Sequence, residues 1–262
     1  VNIEKPNGPD NLGLAKASLV MFLLIAVVLI GCTTSGRVER VYHSPYPMEY
    51  SIAVVPFRDI SGTSALDVMA VTDEFYFELQ QVEVLDERSS RTLQVVPVNR
   101  VLAALTELGF QNVSNPQDVM ALANNLGADA VIVGQITKYE PYRPPQIGMM
   151  LQLYVREQFA DKGWSRGVDA KKLATTGTSF ELSDDLTMKP KTMVVRMFDA
   201  GQEDVIEQIK KYARRHKADK TPSGWERILT SRNYLSFVCH EMVGELLARE
   251  KQRLTSVKQG ER

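Results

Sequence analysis

Apolar residues lie along this chain in three patterns, and each predicts a different element. Residues 17–30, ASLVMFLLIAVVLI, are continuous and uncharged. Between 50 and 155, short β-branched blocks alternate with stretches whose apolar residues recur every three or four positions. Beyond 200 the three-to-four spacing prevails. Short β-branched blocks bounded by turn residues suit strands, and the longer spacing gives a helix one apolar face to bury.

Taken in order, Ser51–Phe57 (SIAVVPF) predicts a buried strand, with Pro56 near its end because proline cannot donate to a sheet ladder. Arg58–Ser64 is a polar turn. Apolar residues at 68, 71, 75 and 79 predict a helix over Leu66–Leu79, with Ser64 as its N-cap. Val82–Leu85 and Thr92–Val98 are short strand candidates. Asn99 is expected to cap a helix lined by Val101, Leu102, Leu105 and Leu108 and stopped by Gly109. Asn115-Pro116-Gln117-Asp118 is a strong helix start, since Asn115 caps, Pro116 fits the first turn and Asp118 complements the positive end. Gly127 ends that helix. Asp129–Ile136 is the clearest strand, Tyr139–Pro145 a proline-rich turn, and Ile147–Val155 the returning strand. Residues 156–191 are a polar excursion with one strand candidate at Thr178–Leu182. Thr192–Phe198 predicts a strand, Glu203–Arg215 a helix, Lys217–Gly224 a linker and Asn233–Arg253 a long helix.

The apolar run 17–30 would reach about 21 Å as a helix. A bilayer core needs about 20 residues, so the run is short for a span and suits the apolar region of a secretory signal. It closes on Leu29-Ile30-Gly31-Cys32, where small Gly31 lets a peptidase approach and Cys32 offers a thiol. This resembles the lipobox of bacterial lipoproteins. The resemblance implies a diacylglyceryl thioether on Cys32, cleavage between Gly31 and Cys32, and acylation, typically with palmitate, of the new amine. A short membrane anchor with an incidental cysteine is the plainer alternative. The stretch before the run is long and holds Glu4 and Asp10 beside Lys5 and Lys16. No Met precedes Met21, so Val1 is read as a non-Met start. Two acyl chains anchor durably where one is marginal. Thr33, where an Asp would retain a lipoprotein in the inner membrane, favours by the same resemblance the outer membrane with the body facing the periplasm.

Composition changes this picture little. Hydrophobic residues make 44% and charged residues 24% of the chain, both ordinary globular values. A formal net charge of −1 gives no pull toward nucleic acid. With Cys32 lipidated, Cys239 is the other cysteine and no intrachain disulfide can form, so stability rests on the core.

The element order implies an α/β layer with a mixed β-sheet and flanking helices. The runs IAVVPFRDISG, VVPVNRVLAALTELG and LANNLGADAVIVGQITKYE resemble the TolB amino-terminal-like fold, and Leu126–Gly134 is their most specific piece. That fold is shared by the curli secretion lipoprotein CsgG and by periplasmic lipoproteins such as PelC and LpoB. The organisation expected is a lipoprotein signal peptide over 1–31, a lipidated tether over 32–48 and the α/β domain over 49–200 with the excursion 156–191 inside it. A helical part over 201–254 is expected to pack on the same domain, followed by a disordered tail over 255–262. In the curli channel, hairpins inserted in this fold build a membrane barrel. Here residues 156–191 hold Asp161, Lys162, Asp169, Lys171, Lys172, Asp184 and Asp185, which disfavours a lipid-facing hairpin.

Candidate chemistry is sparse. His240-Glu241-Met242-Val243-Gly244 has half of the zinc-protease pattern H-E-x-x-H, but Gly244 stands where the second ligand belongs. Cys239 and His240 are adjacent, so on a helix their side chains diverge, and Cys239 is expected to be a buried structural thiol. No glycine elbow or phosphate-binding glycine motif occurs. Catalytic residues, cofactors, metals, nucleic acid and a small-molecule substrate are therefore not expected. Carboxylate-only catalysis needs no local motif and stays open as an unrecognised hydrolase. The basic run Lys210, Lys211, Arg214, Arg215, Lys217 and Lys220 reads as a solvated face, or as one meeting anionic lipid or cell-wall polymer. Tyr139, Tyr142 and Arg143, in a proline-stiffened loop, form the interaction-loop candidate, alongside a stiff hairpin connection as the plain alternative. The strand Ile147–Tyr154 would also pair with another subunit if it lay at the sheet edge. The functional expectation is a non-enzymatic assembly or export accessory that associates with itself or with an envelope complex. The alternative is a regulatory binding module for a cell-wall synthase.

Overall fold

The fold grows outward from one long strand. The computed structural model describes residues 42–46, 50–63, 65–85, 90–156, 190–216 and 224–260, all within one compact unit that begins at Arg40. Gly31, Cys32, the signal segment, the strand candidate Thr178–Leu182 and most of the excursion lie outside the described residues.

The central strand β6 (Ala130–Glu140) pairs in parallel with β1 (Ser51–Val54) and with β2 (Arg58–Asp59). On its other side it pairs antiparallel with β7 (Gln146–Val155), which pairs antiparallel with β8 (Thr192–Asp199). The short β5 (Gln94–Val95) closes the far side of β1 in parallel, so the order is β5-β1-β6-β7-β8. β3 (Glu83–Leu85) and β4 (Ser90–Thr92) form a separate two-stranded sheet. The helices are α1 (Val68–Gln80), α2 (Val98–Glu107), α3 (Pro116–Leu126), α4 (Glu203–Arg215) and α5 (Ser231–Gly260), with a 3₁₀ turn over Gly224–Leu229. This is the mixed α/β layer that the sequence pattern implies.

Alternation along the strands feeds a core on each face. On one, Ile52, Val54, Ile132 and Leu151 meet Phe75 and Leu79 of α1 and Phe237, Val238 and Met242 of α5. On the other, Ala53 and Val131 meet Val101 and Leu105 of α2 and Val119 and Leu122 of α3. Gly134 sits mid-strand because a Cβ there would lie 2.4 Å from the buried Phe57 ring.

Helix α3 starts as its sequence predicts. Asn115 Oδ1 accepts from the Asp118 N–H at 2.9 Å, Asp118 Oδ2 accepts from the Asn115 N–H at 3.2 Å, and Gly127 closes the helix at φ 65°. Other ends differ. α1 is capped by Asp67, whose Oδ1 accepts from the Met69 and Ala70 N–H groups, and it starts at Val68 rather than near Ser64. α2 follows Pro97, whose carbonyl accepts from Arg100 and Val101, so Asn99 falls inside the first turn and caps nothing. The single strand expected over Thr92–Val98 is broken at Leu93, whose side chain turns into the core. α5 runs from Ser231 to Gly260, beyond both ends predicted for it and through part of the expected disordered tail. The Thr255 and Ser256 hydroxyls donate back to the Lys251 and Gln252 carbonyls, so these polar residues serve the helix rather than ending it.

The expected tether is also shorter. Tyr46 is buried, His43 bridges Glu83 in the backbone, and the Tyr42 ring lies against α5 where a Cβ on Gly244 would be 2.3 Å away. The folded body therefore begins by Tyr42.

Candidate functional site

Three places carry polar or exposed groups worth weighing. The first is buried. Glu250 of α5 is fully enclosed and accepts from Tyr46 Oη, Thr192 Oγ1 and Arg253, whose Nε lies 3.0 Å from each carboxylate oxygen. Burial alone would raise this carboxyl, but the hydrogen bonds from Arg253, Thr192 and Tyr46, with the Arg253 charge, hold it below the ordinary value. Tyr46, Thr192 and Arg253 all donate to this one carboxylate, so the arrangement ties the first described residues, β8 and α5 together.

The second place lies between α1, α4 and α5. His240 Nδ1 is 2.9 Å from Glu78 Oε2, with both side chains under one tenth exposed. The His240 ring packs on Tyr42, Tyr212 and His216, at centroid distances of 4.7, 5.1 and 5.2 Å. His240 Nε2 is buried and has no hydrogen-bond partner among the described residues. A cavity of about 250 Å³ is lined by Tyr212, His216, Arg227, Ile228, Asn233 and Ser236. His240 does not line it. Cys239 is fully buried, and that burial pushes its thiol up and away from the thiolate. Gly244 gives way to the Tyr42 ring and can present no ligand. No group of three or more His, Cys, Asp or Glu among the described residues could hold a metal ion.

The third place is the surface. Tyr139, the last residue but one of β6, lies opposite Ile147 and packs partly against the core. Tyr142 stands at the hairpin tip, 79% exposed, next to exposed Arg143 and a cis Arg143–Pro144 peptide. The hairpin is fixed to the end of β8 by the Ala200 N–H, which donates to the Pro145 carbonyl at 3.0 Å. The structure thus separates the three loop residues: Tyr142 and Arg143 point outward, and Tyr139 belongs mainly to the body. On α4, Lys211, Arg214 and Arg215 are exposed while Val205, Ile209 and Tyr212 are buried, the arrangement of a solvated basic face. Lys217 and Lys220 lie outside the described residues.

The condition under which Ile147–Tyr154 would pair with another subunit, a place at the sheet edge, is not met. β7 is enclosed between β6 and β8, and among the described residues β8 is the edge. Its inner face sends Thr192, Val194 and Phe198 into the interior, whereas Met193, Val195 and Met197 on the outer face are each about half exposed. Sequence reasoning found this strand and missed its outer face. In TMVVRMF the odd positions Met193, Val195 and Met197 are all apolar, the composition of a face that is covered, and only their exposure in the folded chain shows that this face stays open. No helix among the described residues is long and apolar enough to cross a membrane.

No family model and no curated protein matches this chain. Among solved structures it is similar to the LpoB C-terminal domain from Salmonella enterica, at 15% identity over 43% of this chain and 76% of that one, with a TM-score of 0.32. It is also similar to the protein CT253 from Chlamydia trachomatis, at 9% identity over 79% of this chain and 98% of that one, with a TM-score of 0.39. A third similar structure is lipoprotein GNA1162 from Neisseria meningitidis, at 14% identity over 65% of this chain and 99% of that one, with a TM-score of 0.33.

Proposed function

We propose that this chain is an outer-membrane-anchored periplasmic lipoprotein that acts by contact, without catalysis, as an assembly or export accessory of the cell envelope. The observation that carries the contact role is the distribution of side chains. Glu250 and His240 are buried at the centres of their clusters, while the large apolar groups displayed outward include the row Met193, Val195 and Met197 and the hairpin tyrosine Tyr142, with Ile60, Met69, Phe77 and Leu102 exposed on other elements. Exposed apolar and aromatic patches mark sites of protein association. The anchor rests on Leu29-Ile30-Gly31-Cys32, and the periplasmic side of the outer membrane on Thr33. The TolB amino-terminal-like body, with its helices after residue 200 on the same core, is then the part that meets partners.

Affinity purification from detergent-solubilised envelopes, with mass spectrometry of the amino-terminal tryptic peptide, tests both halves. An acylated peptide beginning at Cys32 is expected, together with envelope proteins or further copies of the chain. Cys32→Ala should leave Gly31 uncleaved and abolish the lipid mass. A bare thiol in a chain recovered without its envelope would sink the anchor. Co-purification of a cell-wall synthase, crosslinked to Tyr142, would make the chain a regulator of that enzyme rather than an export or assembly part.

A further inference from the structure

We infer that β8 is an interface between two copies of this chain, joined antiparallel about a two-fold axis at Val195. This names a partner for the contact role above, but it rests on the geometry of β8 alone.

β8 is eight residues long and, among the described residues, forms one edge of the six-stranded sheet, whose opposite edge is the two-residue β5. A long apolar edge strand is a template for pairing with another strand. The backbone shows which residues of β8 offer that edge their hydrogen-bonding groups. The Ala200 N–H, one residue past β8, points toward β7 and reaches Pro145, which gives the even-numbered positions to β7. The Met193 carbonyl faces the other way and accepts from Arg249 Nη1 at 2.8 Å, so the odd-numbered positions of β8 face outward along the edge. Lys191, just before the strand, breaks the alternation: its N–H donates to the Leu153 carbonyl, on the β7 side. The free ladder therefore runs from Met193 to Asp199.

The same odd positions carry the outer-face side chains Met193, Val195 and Met197. This row is its own complement when reversed. A two-fold axis at Val195 places Val195 opposite its copy and Met193 opposite Met197. Each paired position is odd on both strands, as a hydrogen-bonded antiparallel pair requires. Four half-exposed methionines and two valines would form one continuous apolar strip. At each end of it the exposed, long side chain of Lys191 would come beside Asp199 of the copy, an opposite-charge pair flanking the ladder. A one-residue slip would bring side chains from opposite faces together and set groups that belong to β7 against the new edge. Arg249 does not block the pairing, because the Met193 carbonyl has a second lone pair. Two-fold symmetric contacts of this kind close on themselves and use up both β8 edges, leaving only the two-residue β5 at each end of the joined sheet.

The test uses the full chain in detergent, with unsubstituted protein as the control. Val195→Cys should form a disulfide-linked dimer under mild oxidation, because only residue 195 faces its own copy. Met193→Cys alone should not crosslink, whereas mixing it with Met197→Cys protein should give a mixed dimer. Lys191→Glu should weaken association about fivefold by analytical ultracentrifugation, since two attractive pairs become repulsive, and adding Asp199→Lys should restore it. If the Val195→Cys protein is a monomer whose introduced thiol reacts freely with maleimide, the proposal is overturned and the face is left to a different protein. If it is a monomer whose introduced thiol is protected, the proposal is overturned in favour of cover by the chain itself. Crosslinking at Met193→Cys as efficient as at Val195→Cys overturns the register. An acylated Cys32 alongside a monomer would retain the envelope role and reject only this interface, so the two failures are distinguishable.

Discussion

Glu250 shows how much one side chain holds. It joins the first described residues, through Tyr46, to the start of β8, through Thr192, and to the neighbouring turn of α5, through Arg253. Breaking a buried charge pair costs more than the pair contributes net, because the remaining partner is left desolvated. Glu250→Ala should therefore destabilise the fold by about 3 kcal/mol, read as a lower urea midpoint at an unchanged slope. A loss under about 0.5 kcal/mol would mean that water replaces the carboxylate, and the site would then be more open than its burial indicates. Nothing in the sequence around Ala248-Arg249-Glu250-Lys251 distinguishes this acid from Glu245, which is partly exposed and pairs with Arg249 on the surface. Partners 58 and 204 residues away are a tertiary fact.

At the scale of elements, legibility followed locality. The capping box of α3 and the glycine after it lie within a few residues, so that helix can be read almost to its ends from the chain alone. The hairpin β6–β7 is legible for the same reason, since its strands adjoin in the chain. Edge or centre, by contrast, depends on which strands arrive on either side. β7 and β8 look alike as sequences, yet one is enclosed and the other is not. Gly134 links the two levels. It closes the motif Leu126–Gly134, and its missing side chain admits the Phe57 ring across β6. Gly134→Ala should cost about 1–3 kcal/mol by overpacking, measured by thermal or urea unfolding. Adding Phe57→Leu, which shortens the obstructing ring, should recover part of that loss. Equal stability of Gly134→Ala and the parent would show that the ring moves aside without strain.

For the whole molecule, two groups act in the same direction on acidification. The Glu250 carboxyl lies below its ordinary value, so its contribution is present above the ordinary carboxylate range and is lost as pH falls through the lowered value. His216 is also lowered, by burial first and then by His240 and Arg215, with Glu78 opposing. A histidine held neutral contributes fully above its ordinary value of 6.5, and that contribution disappears as pH falls through the lowered one. The urea midpoint should therefore decline from about pH 7 as His216 charges and fall again below the carboxylate's ordinary 4.5 as Glu250 protonates, and His216→Gln should flatten the upper part of the decline. A midpoint that rises on acidification would contradict both assignments.

α5 has one further consequence. Its 30 residues form the last described helix, and against it rest Tyr42 and Tyr46, at the opposite end of the folded body's sequence. The first described residues and the last described helix thus latch one another. Were the amino terminus lipidated as proposed, a mechanical load arriving from it would be met first by the Tyr42–Gly244 and Tyr46–Glu250 contacts, and shared through Arg249 and Thr192 with β8 before any strand is asked to slide.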